Sequence, residues 1–238
     1  MGGARFEGSG NETRTERGGL ADAGFEMRRE VLRPRDIEAI KAEVSVDHEI
    51  MRRTGIQNLE KKFASIARVA AEPSVVSIAE DWLGGVPTLV RALFFDKTRE
   101  RNWSVGWHQD RTVALSRRVH LPGWAPWTRK DGVDHVQPPR AVLEQMVTIR
   151  LQIDDADEEG GCLLVVPQSQ KLGILKEAEI HEAVAAATPR ACVARAGDAL
   201  VMRPLILHAS LKSRRLGHRR VVHLEYSSYE LPEAVSWA

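Results

Sequence analysis

From Pro87 onward the chain is cut into short apolar runs, each closed by Gly, Pro or Asp, and this punctuation restricts the fold more than any other feature. The runs are T-L-V-R-A-L-F-F-D, M-V-T-I-R-L-Q-I-D-D, G-C-L-L-V-V-P, A-C-V-A-R, D-A-L-V-M-R, L-I-L-H-A-S and R-V-V-H-L-E-Y. Segments of this length, rich in β-branched and aromatic residues, predict strands rather than helices. No self-similarity recurs at the spacing of a solenoid or propeller. Several short strands behind a helical N-terminal part predict an α+β chain, a sandwich or jelly-roll barrel with the helices covering one sheet.

Ahead of the strands, Met1 to Leu20 are rich in Gly, Arg, Glu and Thr, with few large apolar side chains. That composition predicts a flexible tail, and residues 21–238 are read as one domain. A helix is expected over Arg35 to Glu43, since Pro34 suits the first turn and Asp36 and Glu38 suit its positive end. A second is expected over Leu59 to Ala71, where Leu59, Phe63, Ile66 and Ala70 share one face. A third starts after Pro73 and stops at Gly84-Gly85. Between the strands, Arg118 to Arg140 hold Pro122, Pro126, Pro138 and Pro139 with Trp124 and Trp127. This segment is read as a long irregular loop lying over a pocket, its tryptophans arguing against disorder.

The 34 Lys and Arg nearly balance the 33 Asp and Glu, for a net charge of +1. Global electrostatics therefore give no reason to expect a nucleic acid or a membrane surface as partner. No apolar run reaches the length of about 20 residues that spans a bilayer, and the N-terminus lacks the apolar centre of a secretory signal. A cytoplasmic location is the expectation. Cys162 and Cys192 form no C-x-x-C pair and read as buried apolar residues in a reducing compartment.

Within this frame W-H-Q-D, Trp107 to Asp110, places an imidazole and a carboxylate at i and i+2, on one side of an extended strand. Alone, such a triplet is as well explained by hydrogen bonding. A second apolar strand delivers His208, whose own simple reading is a core histidine bonded to a carbonyl. Two imidazoles and one carboxylate together are the ligand set that leaves positions open on an octahedral Fe(II). Arg219 and Arg220 follow, and a guanidinium fork suits the far carboxylate of a keto diacid. Neighbours on a strand face opposite ways, so only one of the two can reach inward. The competing reading makes them part of a solvated basic edge or a phosphate-binding patch with Arg214, Arg215 and His218.

These elements resemble the phytanoyl-CoA dioxygenase-like group of Fe(II)/2-oxoglutarate-dependent oxygenases. The resemblance runs through D-K-T-R-E-R-N-W-S-V-G-W-H-Q-D, P-G-W-A-P-W to H-V-Q-P-P, L-Q-I-D-D-A-D-E-E-G-G-C-L-L-V-V-P-Q-S-Q, and G-D-A-L-V-M-R-P-L-I-L-H-A-S with H-R-R-V-V-H-L-E-Y. It covers most of the chain from about Val86 onward. It implies a double-stranded β-helix, that is, a cupin-like jelly roll. It carries iron binding onto His108, Asp110 and His208 and 2-oxoglutarate binding onto Arg219 in preference to Arg220. Ser210, Gln109 and Lys97 look like further co-substrate contacts. Three positions depart from the family pattern: E-G-G at Glu159–Gly161, P-Q-S-Q at Pro167–Gln170, and Arg150 where an aromatic is common. The first two concern turn geometry, and the third marks either a different substrate or an outward-facing position.

The activity implied by the resemblance is hydroxylation of an aliphatic C–H of a small molecule with O₂, 2-oxoglutarate leaving as succinate and CO₂. Related halogenases carry a small residue where Asp110 stands, so the carboxylate favours a hydroxylase or desaturase. Trp103, Trp107, Trp124 and Trp127 either line an apolar pocket or pack the barrel, and His120 and His135 read as ordinary polar residues. Oligomeric state has no signature in the sequence. The main competing reading is a non-catalytic jelly-roll relative that binds a small molecule, which predicts a broken ligand set or a missing arginine. A nucleic-acid module would need a basic and aromatic pattern that is not present. An enzyme of this fold working without 2-oxoglutarate would have no use for Arg219 and Ser210.

Overall fold

The computed structural model describes residues 22–47, 56–130, 132–215, 217–233 and 235–238, so the expected tail over residues 1–20 lies outside the described residues. Three N-terminal helices form as the sequence predicts, with one difference. α1 (Pro34–Ser45) starts on proline, and α3 (Pro73–Leu83) ends where Gly84 takes φ +67°, a left-handed turn that glycine enters without a Cβ penalty. α2 is shorter than expected, covering Ala64–Ala70 behind a 3-10 turn at Leu59–Lys61, because Phe63 adopts an extended backbone between them.

Thirteen strands follow from the described residues, in three antiparallel sheets. The largest sheet has the order β1 (Phe25–Arg28), β11 (Ala199–Met202), β8 (Met146–Gln152), β13 (Arg219–Ser227), β3 (Thr88–Lys97), β2 (Ile56–Gln57). The second has the order β10 (Arg190–Cys192), β9 (Leu163–Val165), β12 (His208–Ser210), β4 (Val105–His108). β1 lies ahead of the first expected helix and was not legible in the sequence. Its four half-buried residues pair with β11 at the edge, where little apolar patterning is needed.

Alternation along β13 explains how this sheet serves two environments. Val222, Leu224 and Tyr226 turn outward and join Ile149, Leu151 and Phe94 in a core sealed by Ile40, Ile66, Val69 and Val75 of the helices. The Tyr226 hydroxyl donates to the Ala70 carbonyl at 2.7 Å and fixes α2 on the sheet. Each such fully buried aliphatic side chain contributes about 1.5–3 kcal/mol. The other face of β13 turns Arg219, His223 and Glu225 into the space between the two larger sheets, where all three are buried.

The segment expected to be an irregular loop is instead ordered. β5 (Val113–Leu115), β7 (Val133–Val136) and β6 (Trp127–Lys130) form the third sheet. Trp124 is buried with Val113, Leu115, Val136, Leu143 and Met146, and its ring meets that of Tyr229. The C-terminus closes over this cluster, Ser116 N–H donating to Ser236 O at 3.0 Å and Leu115 bridging to Trp237. Trp124 therefore packs a satellite core rather than a pocket wall. α4 (Arg140–Leu143) links this region to β8, and α5 (Glu177–Ala185), absent from the sequence reading, packs on the second sheet. Ile180 is the one buried residue of α5, so its periodicity is weak, and its first turn is held by Glu179 Oε2 accepting from the Lys176 backbone N–H at 2.6 Å.

Candidate metal centre

β4 and β12 pair so that His108 stands directly opposite His208, with ring centroids 4.1 Å apart. Separation in sequence is thus converted to contact by one antiparallel register. His108 Nδ1 lies 2.8 Å from the Gly106 carbonyl and His208 Nδ1 lies 2.9 Å from that of Ile206. A carbonyl can only accept, so each Nδ1 carries hydrogen and each Nε2 of a neutral ring keeps a lone pair. Both Nε2 atoms face Asp110, at 3.9 Å from Oδ1 and 3.6 Å from Oδ2 respectively.

Asp110 lies just past the end of β4, held by its backbone N–H to Pro204 O at 2.9 Å. Its Oδ2 is buried and has no hydrogen-bond partner among the described residues. The three side chains offer ligand atoms all within 4.8 Å of one another. Two neutral imidazole nitrogens and a carboxylate oxygen with a free lone pair suit a divalent first-row metal such as Fe(II). Burial pushes the Asp110 pKa up, but the fields of His208, His223, His108 and Arg91 outweigh it and hold the carboxyl below the usual carboxylate range. Burial lowers His208 to about 4 against the opposing pull of Asp110, so this imidazole is neutral across the physiological range.

The three side chains open onto a cavity of about 110 Å³ whose wall includes Lys97, Ser210, Arg219, Arg150 and Trp103. Arg219 on β13 faces Lys97 on β3 in register, and both are buried. Lys97 Nζ donates to Ser210 Oγ at 3.0 Å and to Leu211 O at 2.6 Å, and lies 5.4 Å from the Trp103 ring centroid. Arg219 Nε has no partner among the described residues. Arg220 faces the other way and grips Asp154 through Nε at 2.7 Å and Nη2 at 2.8 Å. Alternation on the strand thus gives the inward position to Arg219.

Gln109, expected beside the co-substrate, lies elsewhere. Its Nε2 donates to Gly173 O at 2.7 Å and Leu205 O at 2.8 Å, and its Oε1 accepts from Leu175 N–H at 2.9 Å. The residue between two same-side neighbours must face away from them, and here it ties loops together behind the cavity. Among the tryptophans of the sequence reading, Trp103 lines the cavity, whereas Trp107 packs with Leu175, Ile180 and Leu207. His135 is buried, bonded to Val133 O and Gln57 Oε1.

Two further cavity residues were not singled out for a site role from the sequence. Arg150 faces inward, its Nη1 donating to His223 Nδ1 at 2.8 Å. His223 Nε2 is 3.3 Å from Glu225 Oε1, and Glu225 takes both Nε and Nη2 of Arg91 at 2.8 Å. The signal for His223 was its even spacing from Arg219 on one strand.

An antiparallel jelly roll with two imidazoles and a carboxylate gathered at one strand pair places the chain in the cupin-like class. Residues 23–221 match the phytanoyl-CoA dioxygenase (PhyH) family, and the chain belongs to that family. Comparison with curated proteins gave no match. Among solved structures the chain is similar to the non-haem α-ketoglutarate-dependent carbocyclase SnoK of nogalamycin biosynthesis, with a TM-score of 0.70 and 15% identity over 91% of this chain and 84% of that one. It is similar to the epimerase SnoN in complex with Fe³⁺, α-ketoglutarate and nogalamycin RO, with a TM-score of 0.66 and 14% identity over 90% and 84%. It is also similar to HygX from Streptomyces hygroscopicus with nickel and 2-oxoglutarate bound, with a TM-score of 0.65 and 17% identity over 92% and 88%. Identities this low establish the shared fold.

Proposed function

We propose that this protein is an Fe(II)- and 2-oxoglutarate-dependent oxygenase acting on a small molecule, with hydroxylation of an aliphatic C–H as its reaction. The observation that carries this reading is the convergence of His108 Nε2, His208 Nε2 and an unpartnered Asp110 oxygen on a cavity that also holds Arg219. His108, Asp110 and His208 would hold the iron, the backbone carbonyls of Gly106 and Ile206 fixing the two rings. When bound, Fe(II) supplies the dioxygen chemistry that couples oxidation of 2-oxoglutarate to succinate and CO₂ with oxidation of a substrate. Arg219 binds the far carboxylate of 2-oxoglutarate through its guanidinium, with Lys97 and Ser210 beside it. Phe95, Val105, Leu163 and Trp103 add apolar surface to the cavity wall, which limits water there.

Similar structures include an epimerase and a carbocyclase, so the fold supports several outcomes of one oxidation and the substrate pocket selects among them. Asp110 keeps a carboxylate at the position that a halogenase leaves open, which favours transfer of oxygen or loss of hydrogen. Residues 21–238 act as one domain in this proposal, with a cytoplasmic location. Among the described residues no helix is long and apolar enough to cross a membrane. The test is coupled turnover: with Fe(II), 2-oxoglutarate and O₂, candidate small molecules are screened for succinate release that depends on the substrate. Release in the native protein and its loss in Asp110→Ala support an oxygenase. A native protein that binds small molecules yet never releases succinate would be a non-catalytic relative instead.

A further inference from the structure

Arg150 is the cavity residue that the reading above leaves without a task. It stands at the centre of β8, opposite His223 in register, and is only 6% exposed. Among the described residues its one hydrogen bond is to a ring nitrogen, His223 Nδ1, and its Nε is buried with no partner among them. Its guanidinium carbon lies 5.5 Å from the centroid of the Phe95 ring, which stands edge-on to the His223 ring, so the side chain is held in place by packing. A buried guanidinium is expected to be paired with a carboxylate. None of the ion pairs of the described residues supplies one for Arg150, for Arg219 or for Lys97, and the cavity wall carries these three cations against the single carboxylate of Asp110.

These cations occupy two levels. Arg219 and Lys97 face each other across β13 and β3, and Ser210 joins them. Arg150 and His223 face each other four residues further along β13, beyond the level of Val221 and Phe95. Four strand residues correspond to about 13 Å of backbone, a span that long side chains shorten from both ends. Arg150 and His223 line the same cavity as His108, Asp110 and His208, at the level away from Arg219. A diacid running from the metal toward Arg219 therefore has one carboxylate beside each arginine.

We propose that Arg150 binds the carboxylate at the metal end of 2-oxoglutarate, and that His223, backed by Glu225 and Arg91, positions its guanidinium. The inference rests on the co-substrate assignment above. Arg150 would supply charge-assisted hydrogen bonds to that carboxylate. His223 accepts from Nη1 through Nδ1, and its Nε2 hydrogen is directed at Glu225, which Arg91 holds with a two-pronged contact. Glu225 is kept ionised there, since Arg91 and His223 outweigh the effect of its burial. Arg150 thereby fixes one end of the chelated acid as Arg219 fixes the other.

The experiment uses two ligands, titrated calorimetrically into the anaerobic Fe(II)-loaded protein. 2-Oxoglutarate carries both carboxylates, whereas 2-oxobutyrate carries only the keto-acid end. Arg150→Met is expected to weaken both ligands roughly tenfold to a hundredfold, the range for loss of a charged hydrogen bond. Arg219→Met is expected to weaken 2-oxoglutarate and leave 2-oxobutyrate unchanged. Arg150→Lys keeps the positive charge in a similar volume and is expected to weaken both ligands by a smaller factor, which keeps the test decisive should the methionine variant not fold. Unchanged affinity for both ligands in folded Arg150 variants would overturn the inference and assign the guanidinium to an anionic group on the substrate. A native protein that binds neither ligand would overturn the co-substrate assignment itself.

Discussion

His108 and His208 each give Nδ1 to a carbonyl two residues upstream, so the same local device aims both Nε2 atoms at Asp110. Substituting Asp110→Ala should therefore lower iron affinity at least tenfold and abolish iron-dependent turnover. The fold should persist, because the backbone bond to Pro204 remains and Oδ2 has no hydrogen-bond partner among the described residues, although losing the carboxylate's attraction to the neighbouring cations should lower stability. Arg219→Ala should raise the 2-oxoglutarate dissociation constant with little effect on stability. Arg220→Ala should do the reverse, since its partner is Asp154 outside the cavity; the opposite pattern would reverse the two faces of β13. Lys97 adds a pH dependence. Burial, then Arg219 and Arg150, push its pKa down to about 7. An arriving carboxylate favours the charged amine, so binding takes up a proton above pH 7 and none well below it. 2-Oxoglutarate affinity should thus be greatest below pH 7 and fall by up to about tenfold per pH unit above it, and Lys97→Met should flatten that slope. Residue identities at the site were legible because ligand types and their strand spacing are chemical facts of the sequence. Directions were less so: Gln109 sits between two site residues yet faces away, and Arg150 could be read as inward or outward until its register with His223 was known.

β13 is the element on which the site depends most, since it alternates a helix-facing apolar row with the cavity's Arg219, His223 and Glu225. Its period of two made it readable, as did the apolar runs of β3, β8, β11 and β12. α1 and α3 were readable from Pro34, Pro73 and Gly84, which act locally. The third sheet was not. Its prolines and glycines suggested a loop, while its order comes from Trp124, Val136 and the C-terminal Trp237 packing together across long sequence separations. Turn chemistry also reaches the cavity. Gly161, in the departing E-G-G turn, has φ +68°, and a Cβ there would lie 2.6 Å from the Leu211 carbonyl. That carbonyl accepts from Lys97 Nζ. Gly161→Ala should lower unfolding free energy by about 1–3 kcal/mol in denaturant titration and weaken 2-oxoglutarate binding in the same variant. A stable variant with unchanged binding would remove this turn from the support of Lys97.

At the scale of the whole molecule, the two larger sheets form a jelly roll that keeps helices on its outer face and, between the sheets, a cation-lined cavity beside the apolar cluster of Leu163, Val165, Leu200 and Met202. The helix-facing core carries the stability: Ile149 is fully buried there, and Ile149→Ala should lose about 2–5 kcal/mol while leaving the ligand set unaltered. The barrel and its family were legible from strand punctuation and from motifs spread over most of the chain. The substrate was not, because the walls that would select it come from loops and side-chain directions that no single motif encodes. The central claim is that His108, Asp110 and His208 hold an iron to which 2-oxoglutarate is presented by Arg219. The most direct measurement is anaerobic titration of the metal-free protein with Fe(II) and then 2-oxoglutarate, following visible absorbance. A weak charge-transfer band that appears only with both, and is lost in Asp110→Ala, is the predicted result. A folded protein that binds Fe(II) yet gives no band at saturating 2-oxoglutarate would contradict the claim.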